Sequence, residues 1–323
     1  MSDNRIEALL EAIAASDNLV AVVGSLNADY TVAVDRLPRP GETVEGGDLT
    51  LLPGGKSSNQ AAQAALLGAN VAMCGLVGDD SNGDFLLDEL AETGADTSLV
   101  GRVAGSSGTA FITVDARAEN TIVYVPGSNA NLNVDYVRSC ADELSKAQVM
   151  GLCLETPMAT VQESARIGHD AGATVLLNCS PLPEDLPREL VSCVDVLLVN
   201  ETEAAQLSGL LADDAHDAEV LRKTMADLGF SRVIVTLGSK GSMVLEPSGI
   251  THVDPVAVEA VDTTGCGDSF MGAILAGLAA DATLSETAAL DSRVAAYAAR
   301  GRGAQASYGT ADDVRQTIAM LGR

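Results

Sequence analysis

Apolar residues follow two different periods along this chain. Residues 19–25 (Leu-Val-Ala-Val-Val-Gly-Ser) form a short continuous apolar run, the pattern of a strand buried on both faces. Similar runs recur at 71–77, 148–152, 174–177, 194–199 and 233–237. Between most of them apolar residues return at helical spacing, at 59–67, 83–93, 134–145, 158–171 and 218–228. Thr156-Pro157 predicts a helix start, with a capping hydroxyl and a proline in the first turn. Strand–helix alternation over this length implies an α/β fold, a mainly parallel sheet covered on both faces.

Two segments break the alternation. Residues 29–52 contain Thr31-Val32-Ala33-Val34 and the turn Pro38-Arg39-Pro40-Gly41-Glu42. Residues 109–125 read as a hairpin around the polar turn 115–120. Together they predict a small β-sheet lid, at about 29–52 and 108–126, with one face covered by the core or by a second subunit. A short amphipathic helix at 6–15 predicts an N-terminal extension (1–18) outside the core fold, which then occupies 19–323. After Asp254 the pattern is mainly helical.

Composition narrows the function. In 323 residues the formal charge is −26, and Lys is scarce (Lys56, Lys146, Lys223, Lys240). This argues against nucleic acid or an anionic membrane as a partner. A scattered acidic surface fits a protein kept soluble in concentrated salt, so a halophilic source is expected. No apolar run is long enough to span a bilayer, and the start lacks the pattern of a signal peptide, so the expected location is cytoplasmic. The six cysteines form no C-x-x-C pair and read as small buried residues. His169, His216 and His252 match no metal spacing.

The candidate chemistry centres on Asp262-Thr263-Thr264-Gly265-Cys266-Gly267-Asp268, which opens an apolar helix. Backbone N–H groups at such a turn form an anion site. Asp268 alone reads equally well as a first-turn helix acid. Beside an anion site it makes most sense as a base, deprotonating a hydroxyl while the amides hold a phosphoryl group. Asn27-Ala28-Asp29, after the first strand, suits vicinal hydroxyls or an Asx turn. Gly54-Gly55-Lys56-Ser57-Ser58-Asn59 precedes a helix but is no P-loop, since Thr50 stands where that loop needs glycine. Asn200-Glu201-Thr202-Glu203 suits hydrated Mg²⁺ as well as a helix cap. Thr236, Gly238 and Gly241 follow another strand and permit close approach of a flat ring or a phosphate.

In order and spacing, these motifs resemble the PfkB carbohydrate kinase family, and within it the ribokinases. The likeness runs from about residue 19 to 308. It also takes in Pro40-Gly41-Glu42-Thr43, Gly75-Leu76-Val77-Gly78-Asp79-Asp80, Glu119-Asn120, Leu154-Glu155-Thr156-Pro157 and Gly303-Ala304-Gln305-Ala306-Ser307. The resemblance implies a ribokinase-like three-layer sandwich with a β-sheet lid, often shared in a homodimer. It implies transfer from ATP to the primary hydroxyl of a ribose-type furanose, with Asp268 as base and the amides of Gly265, Cys266 and Gly267 as anion hole. Asn27, Asp29, Gly55, Lys56, Asn59 and Glu155 would hold the sugar. Asn200 would serve the phosphates, and Asn200 with Glu203 Mg²⁺. Thr236, Gly238 and Gly241 would line the nucleotide. Asp262, Thr264, Gly303 and Ser307 match the positions for a monovalent cation, K⁺.

Two departures bear on the substrate. Ser57-Ser58 replaces the usual small residues after Lys56, and Cys266 stands where Ala is common, bringing possible oxidation sensitivity. Two hydroxyls beside Lys56 would accept an anion on the substrate, with Arg117 closing from the lid tip. Ribose 1-phosphate or a nucleoside therefore stands as an alternative substrate. A nucleotide or sugar sensor is the non-enzyme alternative, although a sensor needs no base.

Overall fold

The first apolar run becomes β1 (Leu19–Val23), which lies inside the main sheet. Val20 and Val22 face one core cluster and Ala21 and Val23 the other, none more than 2% exposed. This two-sided burial is why the run is continuously apolar rather than alternating. A computed structural model describes residues 1–117, 119–210 and 217–321, with side chains to 317.

In chain order the strands are β1, β2 (Asn27–Val34), β3 (Gly46–Gly54), β4 (Asn70–Gly78), β5 (Asp96–Val103), β6 (Gly108–Asp115) and β7 (Asn120–Val125). They continue as β8 (Ala147–Leu152), β9 (Thr174–Asn178), β10 (Val196–Asn200), β11 (Val233–Thr236), β12 (Ser242–Glu246) and β13 (Gly249–Val253). Among the described residues the main sheet has the order β13-β12-β11-β10-β9-β8-β1-β4-β5. It is parallel except for the antiparallel pairs that β12 makes. The second sheet, β3-β2-β6-β7, is the lid, and its register sets Asn27 opposite Gly54.

One face of the main sheet carries α1 (Asp3–Ala15), α2 (Lys56–Leu66) and α3 (Ser81–Glu92). The other carries α4 (Val134–Ser139), α5 (Ala141–Leu144), α6 (Met158–Ala171), α7 (Arg188–Val191), α8 (Glu201–Ser208) and α9 (Ala218–Asp227). The chain then returns to the first face with α10 (Cys266–Ala279), α11 (Leu284–Ala298) and α12 (Ala311–Leu321).

The structure corrects the sequence pattern in four places. The helix expected at 134–145 is two, broken at Cys140. Thr156 does not cap α6; Pro157 holds the N-cap position, without a side-chain hydrogen bond. The pattern also passed over β5 and β13, which lie at the sheet edges without a buried residue, and β12, whose buried apolar run is only Met243-Val244-Leu245. The N-terminal helix is not outside the core. Ile6, Leu10 and Ile13 are 0% exposed and pack into the α10–α11 face. Ser16 Oγ and Asn18 Nδ2 both donate to the Ala279 carbonyl, capping the end of α10.

Candidate active site

The first turns of α2 and α10 meet, and Asp268 lies between them, 6% exposed. Asn59 Nδ2 donates to Asp268 Oδ2 at 2.9 Å and Gln60 Nε2 to Oδ1 at 3.2 Å. The Asn59 amide is itself oriented by Gln305 Nε2, which donates to Asn59 Oδ1 at 3.0 Å. The helices approach closely because Gly272 leaves no side chain between them; a Cβ there would meet the Gln60 carbonyl at 2.7 Å. Burial pushes the Asp268 carboxyl above its ordinary range, against the pull of the Lys56 charge and the Asn59 hydrogen bond. Lys56 is lowered by burial, but Asp268 and Glu155 outweigh this and hold its ammonium charged.

The lid and the β1 end complete this side. Gly55 has φ +94°, and a Cβ on it would strike Asn27 N and the Ser25 carbonyl at 2.9 Å. A Cβ on Gly54 would lie 2.1 Å from Asp29 Oδ2, so Gly54 makes room for that carboxyl while Gly55 lets the backbone at Ser25–Asn27 approach. Glu155 Oε2 accepts from Ser25 Oγ at 2.6 Å and from Lys56 N–H at 3.0 Å. Asn27 Oδ1 accepts from Asn129 Nδ2 at 2.7 Å. Burial, then Glu155 and Asp268, push the Asp29 carboxyl up to about 7.

Gly265, at φ +74°, is the N-cap of α10; Ala304 and Tyr308 crowd it so closely that a Cβ would lie 2.5 Å from Ala304 Cβ. Tyr308 Oη donates to the Gly265 carbonyl at 2.8 Å. Nothing lies within 4 Å of where a Gly267 Cβ would be, so the turn opens onto free space. Beside it runs a cleft of about 480 Å³, lined by Thr236, Gly238, Gly241, Cys266 and Gly267 among others. Asp262 joins two loops, its Oδ1 accepting from Thr264 N–H and its Oδ2 from Gly303 N–H, each at 2.9 Å. Burial raises its carboxyl, but these hydrogen bonds prevail and hold it below its ordinary range. Asn200 and Glu203 form a capping box on α8, Asn200 Oδ1 accepting from Glu203 N–H and Glu203 Oε2 from Asn200 N–H.

The sequence profile of the pfkB family carbohydrate kinases matches residues 17–311. The chain belongs to the pfkB carbohydrate kinase family. It is 34% identical over 300 residues to the ribokinase of Haemophilus influenzae, across 93% of this chain and 98% of the relative. It is 32% identical over 302 residues to the deoxyribokinase of Salmonella typhi, across 93% and 99%. The structure of Arabidopsis thaliana ribokinase with ribose and ATP superposes with a TM-score of 0.87 at 28% identity, covering 93% of this chain and 98% of that one.

Within this pfkB fold several sequence expectations fail. Ser57 and Ser58 are 0% and 1% exposed, and their hydroxyls serve the core. Ser57 Oγ contacts Cys153 Sγ at 3.0 Å, while Ser58 Oγ donates to the Gly54 carbonyl and accepts from Gln305. Neither forms an anion clamp. Arg117 pairs with Asp115 and Glu119 at the hairpin tip, where its exposed side chain holds the turn. Burial pushes the Cys266 thiol up to about 11, so it stays protonated and weakly reactive rather than oxidation-prone. His169 lies in α6 and His252 in β13, while His216 is outside the described residues. Sequence reading missed Ser25, Gln60, Asn129 and Tyr308, because lone polar residues in helices and loops carry no local signature.

Proposed function

We propose that this chain transfers the γ-phosphate of ATP to the primary hydroxyl of a ribose-type furanose. The observation that carries this reading is Asp268, buried between two helix starts and held by two amide donors beside the Gly265 turn. Asp268 takes the hydroxyl proton as that oxygen attacks the γ-phosphorus, the bond to the β–γ bridging oxygen breaks and ADP leaves with its electron pair, and the carboxyl gives the proton to solvent after product release. The N–H groups of Gly265 and Gly267 would face the phosphoryl oxygens, where negative charge is held at the transition state, whereas the expected third donor, Cys266 N–H, is directed to the Thr263 carbonyl at 3.2 Å. Asn27, Asp29, Gly55, Lys56, Asn59 and Glu155 orient the sugar, and the lid excludes water. Thr236, Gly238 and Gly241 line the nucleotide.

The sugar-side charges favour a neutral substrate. Asp268 and Glu155 act on the ammonium of Lys56, and the same two carboxyls act on Asp29. With the Ser57 and Ser58 hydroxyls engaged in the core, a phosphate already on the sugar would meet carboxylates and the one ammonium of Lys56, which those carboxylates already offset. Among the described residues no cluster of three or more His, Cys, Asp or Glu forms a metal cage. The second Glu203 oxygen, beside Asn200, suits Mg²⁺ that keeps its water and phosphate ligands, and the ion supplies charge neutralisation when bound. Asp262 with the oxygens of Thr264, Gly303 and Ser307 offers one carboxylate and neutral hard donors, a set that suits K⁺.

We further read the protein as a cytoplasmic homodimer joined through the lid, in a halophilic source. The six free thiols fit a reducing compartment, and no helix among the described residues is long and apolar enough to cross a membrane. The test of the activity is ADP release with Mg-ATP in KCl and in choline chloride, over ribose, 2-deoxyribose, ribose 1-phosphate and nucleosides. Turnover with free pentose and little with ribose 1-phosphate is expected, faster in KCl. Turnover confined to ribose 1-phosphate would overturn the neutral-substrate reading, and no turnover with any acceptor would favour the sensor.

A further inference from the structure

The lid carries a polar side chain that the chemistry described above does not use. Asp29 on β2 stands opposite Ala110 on β6, and Ala110 opposite Tyr124 on β7. The three make one register row, so their side chains share one face of the lid. Tyr30, Phe111 and Val123 make the next row and face the other way. Asp29 and Tyr124 are two strands apart, about 10 Å. The small Ala110 between them leaves that span open for the phenol to lean inward.

Hydrogen bonds show that it does. Tyr124 Oη accepts from Asn129 Nδ2 at 3.3 Å, and the same nitrogen donates to Asn27 Oδ1 at 2.7 Å. Asn129 is 1% exposed, and Leu26 N–H donates to its Oδ1 at 3.1 Å, which fixes the end of the amide that meets the phenol. The phenol oxygen therefore reaches the sugar-side cluster, while Tyr124 as a whole stays 41% exposed and is not sealed into the core. An oxygen that accepts one hydrogen bond still carries its own proton. Among the described residues that proton has no acceptor. Burial raises the phenol against the Asn129 hydrogen bond, and the Glu155 and Asp29 charges add to the rise, so the proton is retained.

We infer that Tyr124 is a specificity-determining residue of the sugar site, its O–H donating to a ring hydroxyl oxygen whose own O–H donates to Asp29. A hydroxyl accepts and donates at once, which a methylene or an ether oxygen cannot do. The lid thus selects a hydroxylated carbon next to the Asn27 and Asp29 side chains. The inference deepens the furanose-kinase reading and rests on it.

The test is initial-rate kinetics with Mg-ATP on ribose, 1-deoxyribose, 2-deoxyribose and 3-deoxyribose, for the wild type and Tyr124→Phe. Loss of the phenol O–H should raise the KM for ribose ~5–10-fold. The kcat and the KM for ATP should stay within ~2-fold, since the contact holds ground state and transition state alike. On one of the deoxy sugars the KM penalty should shrink to ~2-fold or less, because the oxygen that Tyr124 meets is already gone. A merely loosened lid would weaken all four sugars equally. An unchanged KM for ribose, or an equal penalty on all four, overturns the inference. Wild-type turnover of ribose with Tyr124→Phe unaffected brings down the Tyr124 role alone. No wild-type turnover of any of the four brings down the furanose-kinase reading, and the inference with it.

Discussion

Asp268 and Asp29 are both buried carboxyls, but different surroundings suit them to different roles. Burial raises the Asp268 carboxyl, while the Lys56 charge and the hydrogen bonds from Asn59 and Gln60 pull it toward the ionised form a base needs. Asp268→Asn is expected to lower turnover at least ~100-fold with ATP affinity nearly unchanged; single-turnover kinetics at a rate near wild type would remove the base assignment. Asp29, raised from 3.8 to about 7, binds a proton more tightly folded than unfolded. Its contribution to stability is therefore complete below about pH 4 and is lost as pH rises through about 7. Asp29→Asn should accordingly raise the melting temperature more at pH 8 than at pH 5. Equal shifts at the two pH values would show that its carboxyl is not perturbed by folding. Of these residues, Asp268 and Asp29 stood out only through the set of motifs around them, since position alone left a helix-start acid and an Asx turn as competing readings. Gln60, Gln305 and Tyr308 did not stand out, since each acts on a group far away in sequence.

At the level of elements, local chemistry explains why the helix starts could be read. Gly265 and the Gly54-Gly55 pair mark sharp turns, and the apolar run after Asp268 marks the helix that follows. What the pattern left open is what each helix rests on. The stripe Ile6, Leu10 and Ile13 showed an amphipathic helix in α1, but its partner, α10, lies at the opposite end of the chain. Those three side chains are fully buried, and burying each contributes about 1.5–3 kcal/mol as an upper estimate. Removing residues 1–16 should therefore cost roughly 5 kcal/mol of stability in urea unfolding. It should also weaken catalysis, because the Ala279 carbonyl at the end of the base-bearing helix loses the Ser16 cap. Unchanged stability would mean that α1 is a passive appendage.

Across the whole molecule, charge and the lid face dominate. A net charge of −26 repels itself in dilute buffer, and screening relieves that repulsion. The melting temperature is expected to rise steadily between 0.1 and 2 M KCl, conditions to be scanned by calorimetry; a flat profile would sink the halophilic reading. On the lid, Tyr30, Phe111 and Val123 share one register row, and Phe111 and Val123 are 50% and 63% exposed. An apolar row that open on a small sheet suits a second copy of the chain. Sedimentation should show a dimer that Val123→Glu converts to monomer, and a monomeric wild type would refute the lid interface.

By itself the sequence determined the α/β class, the lid segments and the order of the glycine turns. Strand and helix periods, backbone freedom at glycine and helix-start chemistry are all local properties. Tertiary structure decided which of the polar residues near those turns face the site. Ser57 and Ser58 lie beside Lys56 in sequence, yet their hydroxyls are drawn into the core by carbonyl, thiol and amide partners from β1, β3, Cys153 just after β8 and the 305 turn. Asp291 shows the converse. In sequence it is one acid among many, and only the packing of α11 shows its carboxyl buried without a partner among the described residues. Burial and pairing depend on contacts between distant segments, and no local period encodes them.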